Sequence, residues 1–157
     1  MDRQEELVIG FRELYNKMVW LNRMEMEERL KGYKPSEIHC VEYIGKNDDA
    51  NVTKLAEAFY MTRGAISKLS KKLMEKGLIR SYQKPDNKKE IYFALTLQGE
   101  KLYEIHEALH ETFRQRDRGV FDRMSREQLE AVFEFVSVYN QHLEDEIDHF
   151  RREGKSK

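Results

Sequence analysis

The feature that most constrains this chain is a change of period between residues 51 and 95. Leu55, Ala56 and Phe59, then Ile66, Leu69 and Leu73, recur at helical spacing. Only Tyr60 and Met61 lie between the two sets, a turn too short for anything but two adjacent, angled helices. Asn51 and Thr62 stand where each helix needs a cap, and Gly77 ends the second. From residue 79 the pattern becomes that of strands: residues 79–82 and 91–95 are rich in β-branched and aromatic side chains. The octet QKPDNKKE between them has the composition of a turn and predicts a hairpin with a basic tip.

The flanks are helical. Leu7, Phe11, Leu14, Met18 and Leu21 form the seam of a helix over residues 5–30 that Gly32 ends. Pro35 opens a second helix, which turns Ile38, Val41 and Ile44 inward and stops near residues 45–47. Beyond the hairpin, Thr96 caps a long helix running to about Phe121, with Leu102, Ile105, Leu109 and Phe113 as its stripe. Ser125 and Gln128 make the capping box of a last helix carrying Leu129, Val132, Phe133, Val136, Leu143, Ile147 and Phe150, and the polar residues 151–157 are expected to fray. The stripes of the first and last helices have no obvious partner in so small a central unit. They are expected to pack on each other and on a second copy of the chain. The fold class is therefore mainly α with a small β-hairpin, a winged helix-turn-helix over residues 34–98. Residues 1–33 and 122–157 are dimerisation helices, and residues 99–121 form a long connecting helix.

The charge distribution agrees with that organisation. The 157 residues carry a formal net charge of -1, yet residues 62–89 hold nine Lys/Arg against two acids, a local surplus of seven. A basic segment in an otherwise acidic chain is the electrostatic footprint of a nucleic-acid face. It also argues against a winged helix used only for protein contacts, a class that weakening of binding with rising salt would separate. One cysteine, Cys40, rules out an internal disulfide and fits a reducing cytoplasm. The acidic start MDRQEELVIG is not a signal peptide, and no stretch approaches the roughly 18 apolar residues of a membrane helix.

The second short helix carries the candidate DNA-reading side chains. Thr62, Arg63 and Gly64 lie at its N-terminal end, where backbone N–H groups can meet phosphate. Ser67, Lys68, Lys71 and Lys72 follow, and the hairpin adds Lys84, Asn87, Lys88 and Lys89. The run LAEAFYMTRGAISKLSKKLMEKGLI at residues 55–79, followed by LTLQGEKL at 95–102, resembles the MarR family of bacterial transcriptional regulators over nearly the whole chain. The resemblance implies a homodimer that binds a palindromic operator on double-stranded DNA, usually as a repressor, under control of a small effector. One departure stands out. The family's wing often carries aspartate-x-arginine, whose arginine enters the minor groove. Asn87 and Lys89 occupy those positions here, and a lysine lacks the flat guanidinium fork.

Five histidines occur, and His106 and His110 share one face of the long helix at i,i+4. The zinc-responsive members of the family use such a pair, a histidine from the second helix and a glutamate near the end of the first. That likeness implies a metal site of His39, His106, His110 and Glu25, with Glu27 or Glu28 as fallbacks. Zinc suits three imidazoles and a carboxylate, and Mn, Fe, Ni or Cu also match the donor types. The second, cysteine-containing zinc site of those regulators does not carry over. Cys40 lies elsewhere, and Ile38 and Ile105 replace the carboxylates it needs. His142 and His149 read as surface. The competing effector is a small aromatic acid or drug-like molecule in a crevice lined by Trp20, Tyr33, Tyr43 and Tyr103. No nucleophile elbow, phosphate loop or oxyanion motif supports an enzyme.

Overall fold

The computed structural model describes residues 2–154. Its elements, in chain order, are α1 (Arg3–Arg29), α2 (Pro35–Lys46), β1 (Ala50–Asn51), α3 (Val52–Ala58), α4 (Arg63–Glu75), β2 (Ile79–Lys84), β3 (Asn87–Leu95), α5 (Leu97–Phe121) and α6 (Arg126–Gly154). The last helix continues through Gly154, past the residue where fraying was expected, while residues 155–157 of that tail lie outside the described residues.

The chain forms two compact units, Met1–Phe113 and Arg114–Lys157. In the first, Ile38 and Val41 of α2, Leu55 of α3, Ile66 and Leu73 of α4, and Leu102 and Leu109 of α5 meet in one core. The caps foreseen at helix starts are made. Asn51 Oδ1 accepts the Lys54 N–H at 2.8 Å, and Thr62 Oγ1 accepts the Ala65 N–H at 3.1 Å. Between α3 and α4, Tyr60 takes a left-handed conformation at φ 52°, and the Met61 N–H closes the turn onto the Ala56 carbonyl at 3.0 Å.

The sheet has three strands in the order β1-β3-β2, all antiparallel. The hairpin is tighter than its turn composition suggested, because β2 runs to Lys84 and β3 starts at Asn87, leaving Pro85 and Asp86 as the tip. β1 adds a third strand by pairing Ala50 with Phe93 and Asn51 with Tyr92. The motif leucine-threonine-x-x-glycine fastens this wing to α5. Thr96 donates from Oγ1 to the Gly77 carbonyl at 2.6 Å and caps α5 by accepting the Gly99 N–H at 3.1 Å. Gly99 lies so close to the residue preceding β2 that a Cβ there would sit 2.0 Å from the Leu78 carbonyl oxygen. Only glycine allows that approach.

α1 buries none of its residues and exposes Leu7, Leu14, Met18, Trp20 and Leu21. In the second unit, Ser125 and Gln128 complete the foreseen capping box at 2.8 and 3.2 Å. α6 exposes Val132, Phe133, Val136, Leu143 and Phe150. No helix among the described residues is long and apolar enough to cross a membrane.

Candidate nucleic-acid interface and metal centre

α4 divides cleanly into two faces. Ile66, Ser70 and Leu73 are buried, with the Ser70 hydroxyl satisfied by the Ile66 carbonyl at 2.8 Å. Arg63, Gly64, Ser67, Lys68 and Lys71 are exposed on the other side. A Cβ on Gly64 would meet nothing within 4 Å, so the protein's own packing does not demand a glycine there. Its value lies outward, in leaving the first-turn N–H groups of α4 open to a partner.

Two lysines foreseen on this face are engaged by the protein itself. Lys72 leans onto Glu37 of α2, 3.5 Å from Oε1. Lys84 pairs with Asp49 and lies 4.9 Å above the Tyr92 ring, while the Tyr82 hydroxyl donates to the same Asp49 carboxylate at 2.9 Å. Lys84 therefore braces the wing base. Lys88 and Lys89 remain exposed, and Asn87 Oδ1 organises their backbone by accepting the Lys89 and Glu90 N–H groups at 3.3 Å.

Glu37 is wholly buried, which the sequence did not signal, and it ties α2 to the end of α4. It accepts the Lys76 ammonium at 2.7 Å and the Lys34 N–H at 3.0 Å. Burial pushes its carboxyl up, but those two hydrogen bonds and the charges of Lys76 and Lys72 outweigh it and hold the group below the usual carboxylate range.

A second cluster lies between α2 and α5. Donor atoms of Glu42, His106, Glu107 and His110 all fall within 4.8 Å of one another. His106 Nδ1 is 3.7 Å from Glu42 Oε2, and His110 Nε2 is 3.9 Å from Glu42 Oε1. The two imidazole rings are 4.3 Å apart. His106 is buried, and neither of its ring nitrogens has a hydrogen-bond partner, nor has His110 Nε2. Orphaned buried acceptors cost about 1–3 kcal/mol each, so such a group points to a missing partner. Burial also pushes His106 below its ordinary pKa despite the pull of Glu42, which favours the neutral imidazole a metal requires. Two nitrogen and two carboxylate donors fit a first-row divalent ion such as Zn²⁺.

The residues of the metal set implied by resemblance are placed as follows. His106 and His110 come together, and exposed His39 stands at the rim with its ring 6.2 Å from that of His106. Glu25 is not among the clustered donors. The carboxylates there are Glu42, three residues after His39 on the same helix, and Glu107, beside His106. The i,i+3 spacing of His39 and Glu42 was the available signal.

Next to the cluster, a cavity of about 350 Å³ opens between α1, α2 and α5, walled by Met18, Met26, Tyr33 and Ile38 and touching His39 and His110. Glu27 also lines it, with Arg23 at 2.6 Å. Of the aromatics foreseen for a crevice, Tyr33 alone lines this cavity. Tyr43 packs edge-on to Phe59, Tyr103 covers Gly45, and Trp20 is exposed on α1. His142 and His149 are exposed on α6, as expected.

A helix-turn-helix with an exposed basic second helix, braced against a three-stranded wing, defines a winged helix-turn-helix protein of the nucleic-acid-binding kind. The MarR family model matches residues 34–91. The chain is 36% identical over 110 residues to the uncharacterized HTH-type transcriptional regulator YhjH of Bacillus subtilis (strain 168), a match spanning 69% of this chain and 63% of that one, less than two thirds of the relative's length. It is 30% identical over 113 residues to the uncharacterized HTH-type transcriptional regulator YvnA of the same organism, spanning 72% of each. The crystal structure of Streptococcus pneumoniae FabT in complex with DNA shares the fold, with a TM-score of 0.79 at 20% identity over 90% of this chain and 98% of that one. The chain belongs to the MarR family, and the relatives named above are HTH-type transcriptional regulators.

Proposed function

We propose that the protein works in the cytoplasm as a homodimeric repressor that binds a palindromic operator and answers to a divalent metal ion. The observation that carries the DNA-binding part is the exposed face of α4, which presents Arg63, Gly64, Ser67, Lys68 and Lys71, together with exposed Lys88 and Lys89 on the wing. Arg63 is the candidate base reader, and Lys68, Lys71 and the wing lysines contact phosphates. Dimerisation is supported by α1 and α6. Each exposes an apolar face large enough to need cover, and a second copy supplies it while matching two half-sites.

The metal reading rests on His106 and its unpartnered ring nitrogens beside His110, Glu42 and Glu107. A bound ion would draw α2 and α5 together at the base of the winged domain, with His39 as a further ligand within a short movement. The second reading is a small aromatic acid in the cavity walled by Met18, Met26 and Tyr33, favoured by its largely apolar lining.

A gel shift on the protein's own upstream DNA, with chelator, with added Zn²⁺ and with an aromatic carboxylic acid, separates these readings. Binding that responds to Zn²⁺ in the wild type and not in His106→Ala supports metal control. A response to the aromatic acid alone supports the cavity. Identical binding under every condition rejects both.

A further inference from the structure

Lys46, the last residue of α2, lies against the proposed metal cluster. Its ammonium is 2.6 Å from Glu42 Oε1 and 2.9 Å from Glu107 Oε1. Glu42 Oε1 is also the oxygen nearest His110 Nε2. One carboxylate oxygen thus serves the ammonium and faces the donor set of a metal.

Building on the metal reading above, we infer that Lys46 is a tethered counter-cation that holds the two carboxylates in the metal-free protein and is expelled when a divalent ion enters. Three observations support the exchange. First, the ammonium hydrogen-bonds Glu42 and pairs in charge with Glu107, while Glu107 Oε1 and the histidine nitrogens lack a hydrogen-bond partner, so the lysine neutralises the carboxylates without completing the cluster. Second, a divalent ion bonded to Glu42 and the imidazoles at roughly 2.0–2.2 Å would face an ammonium on the same oxygen, and two cations sharing one carboxylate oxygen repel. Third, the Lys46 side chain is 45% exposed, so it can swing into water without disturbing the core. The lysine therefore raises the metal concentration at which the site fills, because each ion must displace a bound cation.

The position of Lys46 gives the exchange a route to the wing. Asn47 caps α2 by donating from Nδ2 to the Tyr43 carbonyl at 2.9 Å. Two residues later, Asp49 sits at φ 57° and holds Tyr82 and Lys84 of β2. Releasing the last turn of α2 from the cluster changes the anchor of that segment.

Two measurements on the full-length protein test the inference. Zn²⁺ affinity is determined by competition with a chromophoric chelator for the wild type, Lys46→Met and Lys101→Met, the last removing an exposed positive charge elsewhere on α5. Lys46→Met should bind at least about tenfold more tightly, and Lys101→Met should match the wild type. The second measurement is competitive acetylation read by mass spectrometry: Lys46 should be slow to react without metal and become fast when Zn²⁺ is bound. Equal affinities for wild type and Lys46→Met, or Lys46 reactivity unchanged on Zn²⁺ binding, would overturn the exchange and leave the metal site standing. Failure of every protein to bind Zn²⁺ would overturn both. Binding by Lys46→Met alone would support the exchange in its strongest form.

Discussion

Replacing Glu37 with glutamine tests how the DNA-facing helix is held in place. The substitution keeps shape and leaves an amide oxygen for the Lys34 N–H, but it removes the charge that Lys76 meets at 2.7 Å and Lys72 at 3.5 Å. A hydrogen bond to a charged group contributes about 1.5–3 kcal/mol. Lys76 and Lys72 are 31% and 46% exposed, so both can turn to water once the carboxylate is gone, and the loss stays at the scale of that one bond rather than the ~3–5 kcal/mol of a stranded buried charge. For a chain of this size the fall in Tm is about 3–12 °C. The pH dependence has a definite sign. The folded Glu37 carboxyl lies below its ordinary value, so its contribution is complete above the unfolded value of about 4.3 and is lost as pH falls through the folded value. Urea unfolding of wild type and variant should differ equally at pH 7 and pH 6, and the difference should shrink steadily as pH falls below about 4.3. A gap that persists unchanged at pH 3, or a shift below about 1 °C at pH 7, would refute the view that this charge joins α2 to α4.

Other substitutions probe separate joints of the structure. Gly99→Ala should cost about 1–3 kcal/mol in chemical denaturation, because its Cβ would fall 2.0 Å from the Leu78 carbonyl oxygen and β2 or α5 must move. Gly64→Ala should leave Tm unchanged or slightly higher, since its Cβ meets nothing, yet weaken operator binding measured by fluorescence anisotropy if DNA approaches that first turn. Cys40 is fully buried and its thiol is pushed up to about 12, so iodoacetamide should label it only in step with global unfolding, never rapidly in the native protein.

The parts of the fold that were legible in advance depend on near neighbours in the chain. Caps at Asn51, Thr62, Thr96 and Ser125 act over three residues, and helical stripes repeat within a turn or two, so residue order alone specifies them. β1 escaped notice because Ala50 and Asn51 become a strand only through Phe93 and Tyr92, some forty residues away. The same reasoning covers the site. The exposed face of α4 follows from periodicity, but the inward lean of Lys72 and Lys84 depends on Glu37 and Asp49, acids on distant segments. Likewise the pair His106 and His110 could be found from spacing, whereas Glu42 joins them only because α2 packs beside α5. The carboxylates beside that pair, Glu42 and Glu107, lie on α2 and α5, whereas the one implied by family likeness, Glu25, lies on α1.

The central claim is that α4 and the wing form a DNA-reading surface. Its most direct test is the salt dependence of binding, by fluorescence anisotropy, of wild type and Arg63→Ala to the protein's own upstream DNA and to a scrambled duplex. Wild-type affinity should fall steeply and linearly on a log–log plot of salt, and favour the upstream DNA. Arg63→Ala should lose about 1–3 kcal/mol on the upstream DNA alone, narrowing the preference. Salt-insensitive binding, or equal losses by Arg63→Ala on both duplexes, would contradict the assignment of α4 as the reading helix.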